Sequence, residues 1–155
     1  MYRKADAARA GRYPTALYAA GVALEDLKRH GEAKEAYRQA LTASTGRETA
    51  APHFRLGLLL AGERDYESAA THFSKAITRE TSPGSHNNLG VMLAIKGRLL
   101  EAEREFEVAL RQAGGAFADA THNLNLCRSL LRASAKDSLS SLKVVATTKA
   151  SKMPE

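Results

Sequence analysis

The sequence predicts an all-α protein built from antiparallel helix hairpins stacked in one array. Three observations predict it. First, a set of residues recurs at a fixed separation of 33: Leu56, Gly57 and Leu60 return as Leu89, Gly90 and Leu93, and Ala69, Phe73, Ala76 and Ile77 return as Ala102, Phe106, Ala109 and Leu110. A repeat of this length suits a helix pair that buries its apolar face only against its neighbours. Second, the apolar residues inside each copy fall three and four apart, the spacing of one helix face. Third, proline and glycine punctuate the chain where such helices should start and stop.

The array is read over residues 1–146, as an irregular unit at 15–45, clear units at 52–81 and 83–114, and a partial or capping unit at 116–146. At the start, residues 3–10 read as one helix, Gly11 to Pro14 as a turn, and 15–30 as the next helix. In this first unit Gly21, Leu24, Ala33, Tyr37, Ala40 and Leu41 match Gly57, Leu60, Ala69, Phe73, Ala76 and Ile77 at a separation of 36. Gly31 falls late for a helix stop, so the first helix reads a turn longer than its counterparts. A polar link follows at 44–50. Pro52 opens a helix through Ala61, with its missing N–H harmless in the first turn, and Gly62 can stop it. Asp65 can cap the helix at 66–79. Ser82 and Pro83 open a helix through Ile95, Gly97 closes it, and a helix at 99–112 follows before Gly114 and Gly115. Residues 116–132 read as another first helix, in which Asn123-Leu124 matches Asn88-Leu89 at 35 residues. A link at 134–137 then precedes a short helix or weak strand carrying Leu139, Leu142 and Val145. Residues 147–155 have little apolar content and read as a disordered tail.

Composition narrows the class without naming a partner. The chain has 155 residues, 44% hydrophobic and 26% charged, which suits one globular domain. Aromatics are only 6% and tryptophan is absent, so small residues must do much of the packing. The net charge of +6 gives a mild preference for acidic partners or a nucleic-acid backbone. The basic residues are scattered among acids, with no interleaved aromatics for base stacking, which argues against nucleic acid. A single cysteine, Cys127, excludes an internal disulfide framework and suits a reducing compartment, cytoplasmic or otherwise intracellular. The polar start does not read as a signal peptide, and no apolar run reaches membrane-spanning length.

Gly57 and Gly90 stand inside helices, where each costs about 1 kcal/mol relative to alanine. A penalty repeated at one phase of two units points to a neighbouring helix too close for a side chain, with Ala69, Ala102, Phe73 and Phe106 on the facing helix.

This order of large and small residues, Leu56-Gly57, Leu60, Tyr66, Ala69, Phe73, Ala76 and its copy Leu89-Gly90, Leu93, Gly97, Leu99, Ala102, Phe106, Ala109, resembles the tetratricopeptide repeat. The resemblance is strongest over 52–112, weaker at 15–42 and 116–132, and absent in the tail. It implies helix pairs stacked as a right-handed superhelix, an α-solenoid, whose first helices line a concave groove that binds a peptide or another protein. At the family's tryptophan-like place this chain has His53, His86 and Thr121. By the same resemblance the groove wall comprises Phe54 and Leu58, then Asn87, Asn88, Val91 and Ile95, then His122, Asn123, Leu126 and Leu130. Phe54 reads as the best single anchor, because a large ring buries the most apolar area. An asparagine at the place of Asn88 and Asn123 can bond the backbone of an extended peptide in the family, as in the ladder of O-linked N-acetylglucosamine transferase; Arg55 breaks that series here. The lysines of a standard chaperone C-terminal clamp are missing, and Phe54 and Leu58 stand where a clamp wants polar groups.

No enzyme motif is present, so a catalytic role and a cofactor are not expected. There is no phosphate loop, dinucleotide fingerprint or nucleophile elbow. His53 and His86 share a phase in adjacent repeats and can lie near each other, but no ligand set completes a metal site. His30 and His72 read as solvent-facing, Cys127 as a buried inert thiol, and Glu101, Glu103, Glu105 and Glu107 as a solvated helix face. The sequence therefore points to a non-catalytic protein-interaction module. The alternatives are self-assembly through the terminal helices, a segment of a larger enzyme or complex, and a basic scaffold for RNA or acidic membranes.

Overall fold

The computed structural model describes residues 2–150, with side chains described for 13–135. Among these residues the chain is helical with no strand: α1 (Tyr2–Asp26), α2 (His30–Thr42), a 3-10 turn (Arg47–Thr49), α3 (Ala50–Gly62), α4 (Tyr66–Arg79), α5 (Pro83–Ile95), α6 (Leu99–Gln112) and α7 (Ala118–Ala150). The pairs α1–α2, α3–α4 and α5–α6 are hairpins. Each packs on the next element through α2 with α3, α4 with α5, and α6 with α7, while α7 also touches α5. The predicted array of stacked helix hairpins is what the chain forms.

One turn design joins the helices of all three hairpins. Lys28, Arg64 and Gly97 have positive φ of 61°, 64° and 77°. The next N–H, of Arg29, Asp65 and Arg98, donates back to the carbonyl of Leu24, Leu60 and Leu93, each at 2.9 Å. This closes the last turn of each first helix and satisfies its end carbonyls. Gly62 is therefore not the stop predicted from the sequence. It is the last helical residue of α3, and Arg64 takes the left-handed position. Likewise Gly31 lies in the first turn of α2, and the first helix ends earlier than expected because Lys28 makes the turn. The expected caps hold: Asp65 Oδ1 accepts from Ser68 N at 3.2 Å, and Ser82 Oγ accepts from Ser85 N at 3.2 Å with Pro83 in the first turn.

Two expected breaks are absent. The turn at 11–14 is replaced by continuous α1, with Pro14 inside the helix. Proline's fixed φ is itself helical, so the chain loses one hydrogen bond without having to stop. The link at 134–137 is likewise part of α7, where neither glycine nor proline interrupts the backbone. The helix is described as far as Ala150, and 151–155, the rest of the stretch expected to be a disordered tail, lie outside the described residues. The expected cap formed by Leu139, Leu142 and Val145 also lies outside the described side chains.

The core rests on rings seated against glycine. A Cβ on Gly57 would lie 2.7 Å from Phe73 Cε1, and one on Gly90 2.6 Å from Phe106 Cε1. A Cβ on Gly21 would strike the Tyr37 ring in the same way. Phe73 and Phe106 join Leu60, Ala69, Leu89, Met92, Leu93, Ala102, Leu124 and Cys127 in one apolar cluster, and Ala33, Tyr37 and Leu56 form a second. Tyr37 is the only ring of the three with a hydroxyl, and it donates to the Glu25 carboxylate, which lies 3.7 Å from Arg55. Burial, and then Glu25, push the Tyr37 phenol well above its usual range.

Two polar pairs cross the hairpins at one place. His53 Nδ1 and His72 Nδ1 are 2.9 Å apart, and His86 Nδ1 lies 2.7 Å from Glu105 Oε2. Each histidine thus meets its own hairpin's second helix rather than the histidine of the next repeat, and His72 is half-buried rather than solvent-facing. Burial, the neighbouring His72, and the cations Lys75 and Arg79 lower the His53 pKa to about 4. Burial and the cations Lys75 and Arg38 lower that of His72. The glutamates of α6 are not a free solvated row either. Glu103 and Glu107 accept from Arg128 of α7 at 2.7 and 2.6 Å, Glu105 meets His86, and Glu101 accepts from Arg98 at 2.6 Å.

The described part of the last helix departs from the first-helix pattern on one side. Thr121, Asn125 and Arg128 of α7 stand where α5 has His86, Gly90 and Leu93, the places that meet a second helix. Thr121 and Asn125 are exposed, so the described part of α7 turns a polar side to solvent.

Two expectations test this packing. Gly90→Ala should lower stability by about 1–3 kcal/mol through overpacking on Phe106, although alanine is the better helix former. Gly62→Ala, where nothing lies within 4 Å of an added Cβ, should instead raise stability by up to about 1 kcal/mol. Urea unfolding of both variants checks the opposite signs. For His53, a folded pKa below the unfolded 6.5 means the fold favours the neutral ring. That stability is complete above about pH 6.5 and is lost as pH falls toward about 4. Unfolding midpoints should decline over this window, and His53→Gln should decline less steeply.

Candidate partner-binding face

Helices α5 and α7 lie side by side and leave an apolar cleft of about 260 Å³ between them. Val91, Ala94 and Ile95 of α5 form one wall, and Asn123, Leu126 and Leu130 of α7 form the other, with Phe106 and Cys127 completing the lining. None of these side chains is charged. Ile95, Leu126 and Leu130 remain 51%, 52% and 47% exposed, which is a high figure for three neighbouring large aliphatic residues. Leu58 is also exposed on α3, at the place that Val91 and Leu126 hold in α5 and α7.

The width of the cleft is held by amides. Asn123 Nδ2 donates to Asn87 Oδ1 at 3.0 Å, and Asn87 Nδ2 donates to Asn88 Oδ1 at 3.3 Å. Asn87 is buried, so its carbonyl and amide are matched inside the protein rather than offered to a ligand. The salt-bridged Arg128 and the bond from Cys127 Sγ to the Leu99 carbonyl at 3.2 Å fix the other side of α7 on α6. Burial, then Glu103, raise the Cys127 thiol pKa, which keeps the sulfur protonated and unreactive.

The structure thus brings together Val91, Ile95, Asn123 and Leu126, with Leu130 beside them and Asn87 and Asn88 behind. It leaves Phe54 elsewhere. That ring packs edge-on to Phe73 at 5.8 Å between centroids and lies beside Gly84, where an added Cβ would be 3.8 Å from it. It lines a separate cleft of about 170 Å³ with Ala50, Ala51, Ala76, Glu80, Ser82 and Ser85. His122 is exposed on α7, and nothing places it in the apolar cleft. Arg55, which breaks the asparagine series, is engaged with Glu25. Sequence reasoning missed the lining provided by Phe106 and Cys127, because both belong to the core pattern. It also missed the bond between Asn87 and Asn123, because neighbouring first helices were aligned at one phase and this bond joins two adjacent phases. Among the described residues, no helix is long and apolar enough to cross a membrane, and no group of three His, Cys, Asp or Glu side chains could hold a metal ion.

Comparison with known proteins agrees with this architecture. Two family models described as tetratricopeptide repeat match the chain, one over residues 14–45 and the other over 53–117. No curated protein matches it. Among solved structures, the C-terminal TPR-containing domain of an FK506-binding protein from Plasmodium falciparum superposes with a TM-score of 0.71 at 18% identity, covering 81% of this chain and 92% of that one. YrrB, described as a TPR protein with an unusual peptide-binding site, superposes with a TM-score of 0.66 at 25% identity, covering 77% of this chain and 60% of that one. Repeated residues, stacked hairpins and matched family models converge: the chain belongs to the tetratricopeptide repeat family.

Proposed function

We propose that this chain is a non-catalytic interaction module that holds a peptide or helix of a partner protein in the cleft between α5 and α7. The fold is one that generally mediates protein–protein interactions. The observation that carries the finer reading is the uncharged cleft itself, with Ile95, Leu126 and Leu130 about half exposed around it. Apolar side chains of a ligand seated there would be stabilised by about 25 cal/mol per Å² buried, before ordering costs. The peptide-binding site described for YrrB supports the same use of the fold. A lining with no charged side chain, and one amide at Asn123, suits a ligand whose polar groups are neutral rather than a chain of phosphates.

Selection of a displayed random-peptide library on the immobilised chain tests this reading, followed by binding isotherms for recovered peptides. Val91→Asp and Leu126→Asp should each weaken binding about tenfold or more while leaving helicity unchanged. Raising the salt should change the affinity little. Full binding by both folded variants would move the site off this cleft, and a steep loss with salt would favour an electrostatic partner instead.

A further inference from the structure

Away from the cleft, the α3–α4 hairpin gathers positive charge around its histidine pair. His53 Nδ1 and His72 Nδ1 face each other at 2.9 Å, and both rings are half-buried. On α4, His72, Lys75 and Arg79 are spaced three and four residues apart and so share one helix face. Burial first, then His72, Lys75 and Arg79, disfavour a proton on His53; burial, Lys75 and Arg38 of α2 do the same at His72. Among the described residues no carboxylate acts on either ring. Helix α5 also packs on α4, but its one charged or titratable side chain, His86, is engaged with Glu105.

The next hairpin shows that packing does not require this arrangement. There His86 stands at the place of His53, and Glu105 at the place of His72. The chain supplies its own carboxylate at 2.7 Å, and the places of Lys75 and Arg79 are held by the uncharged Val108 and Gln112. In the first hairpin those two places are Gln39 and Ala43. Where the internal carboxylate is missing, cations have been added. Lys75 and Arg79 are exposed, and neither makes a hydrogen bond or ion pair with the described residues. Arg38 has only the exposed Glu35, at 3.8 Å. Glu48, which senses Arg79, already accepts from Gly46 N at 3.1 Å.

The imidazole pair can complete a site for negative charge. One Nδ1 donates to the other, so the rings hold opposite tautomers and present one Nε2–H and one bare Nε2. Neither Nε2 has a partner among the described residues. One added proton leaves the inner bond in place and gives both Nε2 atoms a hydrogen. The surrounding cations oppose that proton, and a bound anion favours it.

We propose that His53, His72, Lys75 and Arg79, with Arg38 beside them, form an anion site that takes one phosphate group borne on a side chain of a partner protein. The positive groups come from three helices, which suits a compact charge of about −1.5 to −2 with three acceptor oxygens better than a single carboxylate. A nucleic-acid strand needs a longer track of cations, and Glu35, Glu48 and Glu80 interrupt one here. None of these residues lines the cleft between α5 and α7.

NMR of the histidine ring protons in the intact chain tests the proposal, with glycyl-phosphoseryl-glycine as the probe. At pH 7 the peptide should shift the His53 and His72 signals saturably, and inorganic phosphate should compete with it. At saturation the titration midpoint of His53 should rise by about one pH unit or more. Lys75→Gln combined with Arg79→Gln should weaken binding about tenfold or more with helicity unchanged, whereas Val91→Asp in the cleft should leave it intact. The proposal is overturned by the absence of a saturable shift at millimolar peptide, or by unaltered binding in the folded double variant. Equal binding of the unphosphorylated peptide overturns it too. An oligothymidylate that shifts the same signals at lower concentration would assign the patch to nucleic acid and overturn it as well.

Discussion

Everything in this structure depends on an aromatic ring lying directly on the backbone of a facing helix. Phe73 lies on Gly57, Phe106 on Gly90 and Tyr37 on Gly21. The ring takes the space of a Cβ, so the two helices of a hairpin come together at the distance of a ring on a backbone. Ala69, Ala102 and Ala33, all fully buried one turn before their rings, keep the rest of the contact equally shallow. Helix propensity works against each of these glycines, and burial of the ring outweighs it. Because the same contact recurs in every hairpin, the hairpins share one shape and can stack in a row.

That row determines where surface is left over. Among the described residues each first helix covers the preceding second helix, which leaves an outer side of α7 and the line of first helices unpaired. The chain handles these places differently. At α7 the outward positions are the exposed Thr121 and Asn125, while Arg128 turns back to Glu103 and Glu107 of α6. Along α5 and α7 the outward positions remain apolar and enclose a cleft whose width is set by Asn87 and Asn123. A buried amide pair is well suited to that task, since each group must find its partner or lose the bond it made with water. The cleft is thus a consequence of the same stacking that builds the core.

Much of the fold was legible in the sequence because its constraint is periodic. The 33-residue recurrence of Gly57 with Phe73 and Gly90 with Phe106 exposed both the helix pairs and the reason for their glycines. What escaped was local. Left-handed turns were assigned to glycine, yet Lys28 and Arg64 adopt them, and the backbone bonds from Arg29 and Asp65 close the turn. Pro14 read as a boundary and lies within a helix. Of the candidate site, the aliphatic positions Val91, Ile95 and Leu126 were legible from their phase opposite the packing stripe. Phe54 shares a phase with Asn87 and His122, but phase alone could not show that its ring would lie beside Gly84 and Phe73. Charge pairing was equally invisible: Glu103, Glu105 and Glu107 look like a solvated row until α5 and α7 are placed against them.

The central claim is that the ring and the glycine are one contact, and a double-mutant cycle on Gly57 and Phe73 tests it most directly. Gly57→Ala and Phe73→Leu are measured singly and together by urea unfolding. The account predicts strong coupling: with the ring trimmed, the added methyl group is accommodated, and the double variant is less destabilised than the sum of the singles by about 1 kcal/mol or more. Additive losses would show that the two residues act independently, contradicting the close approach on which the stacking depends.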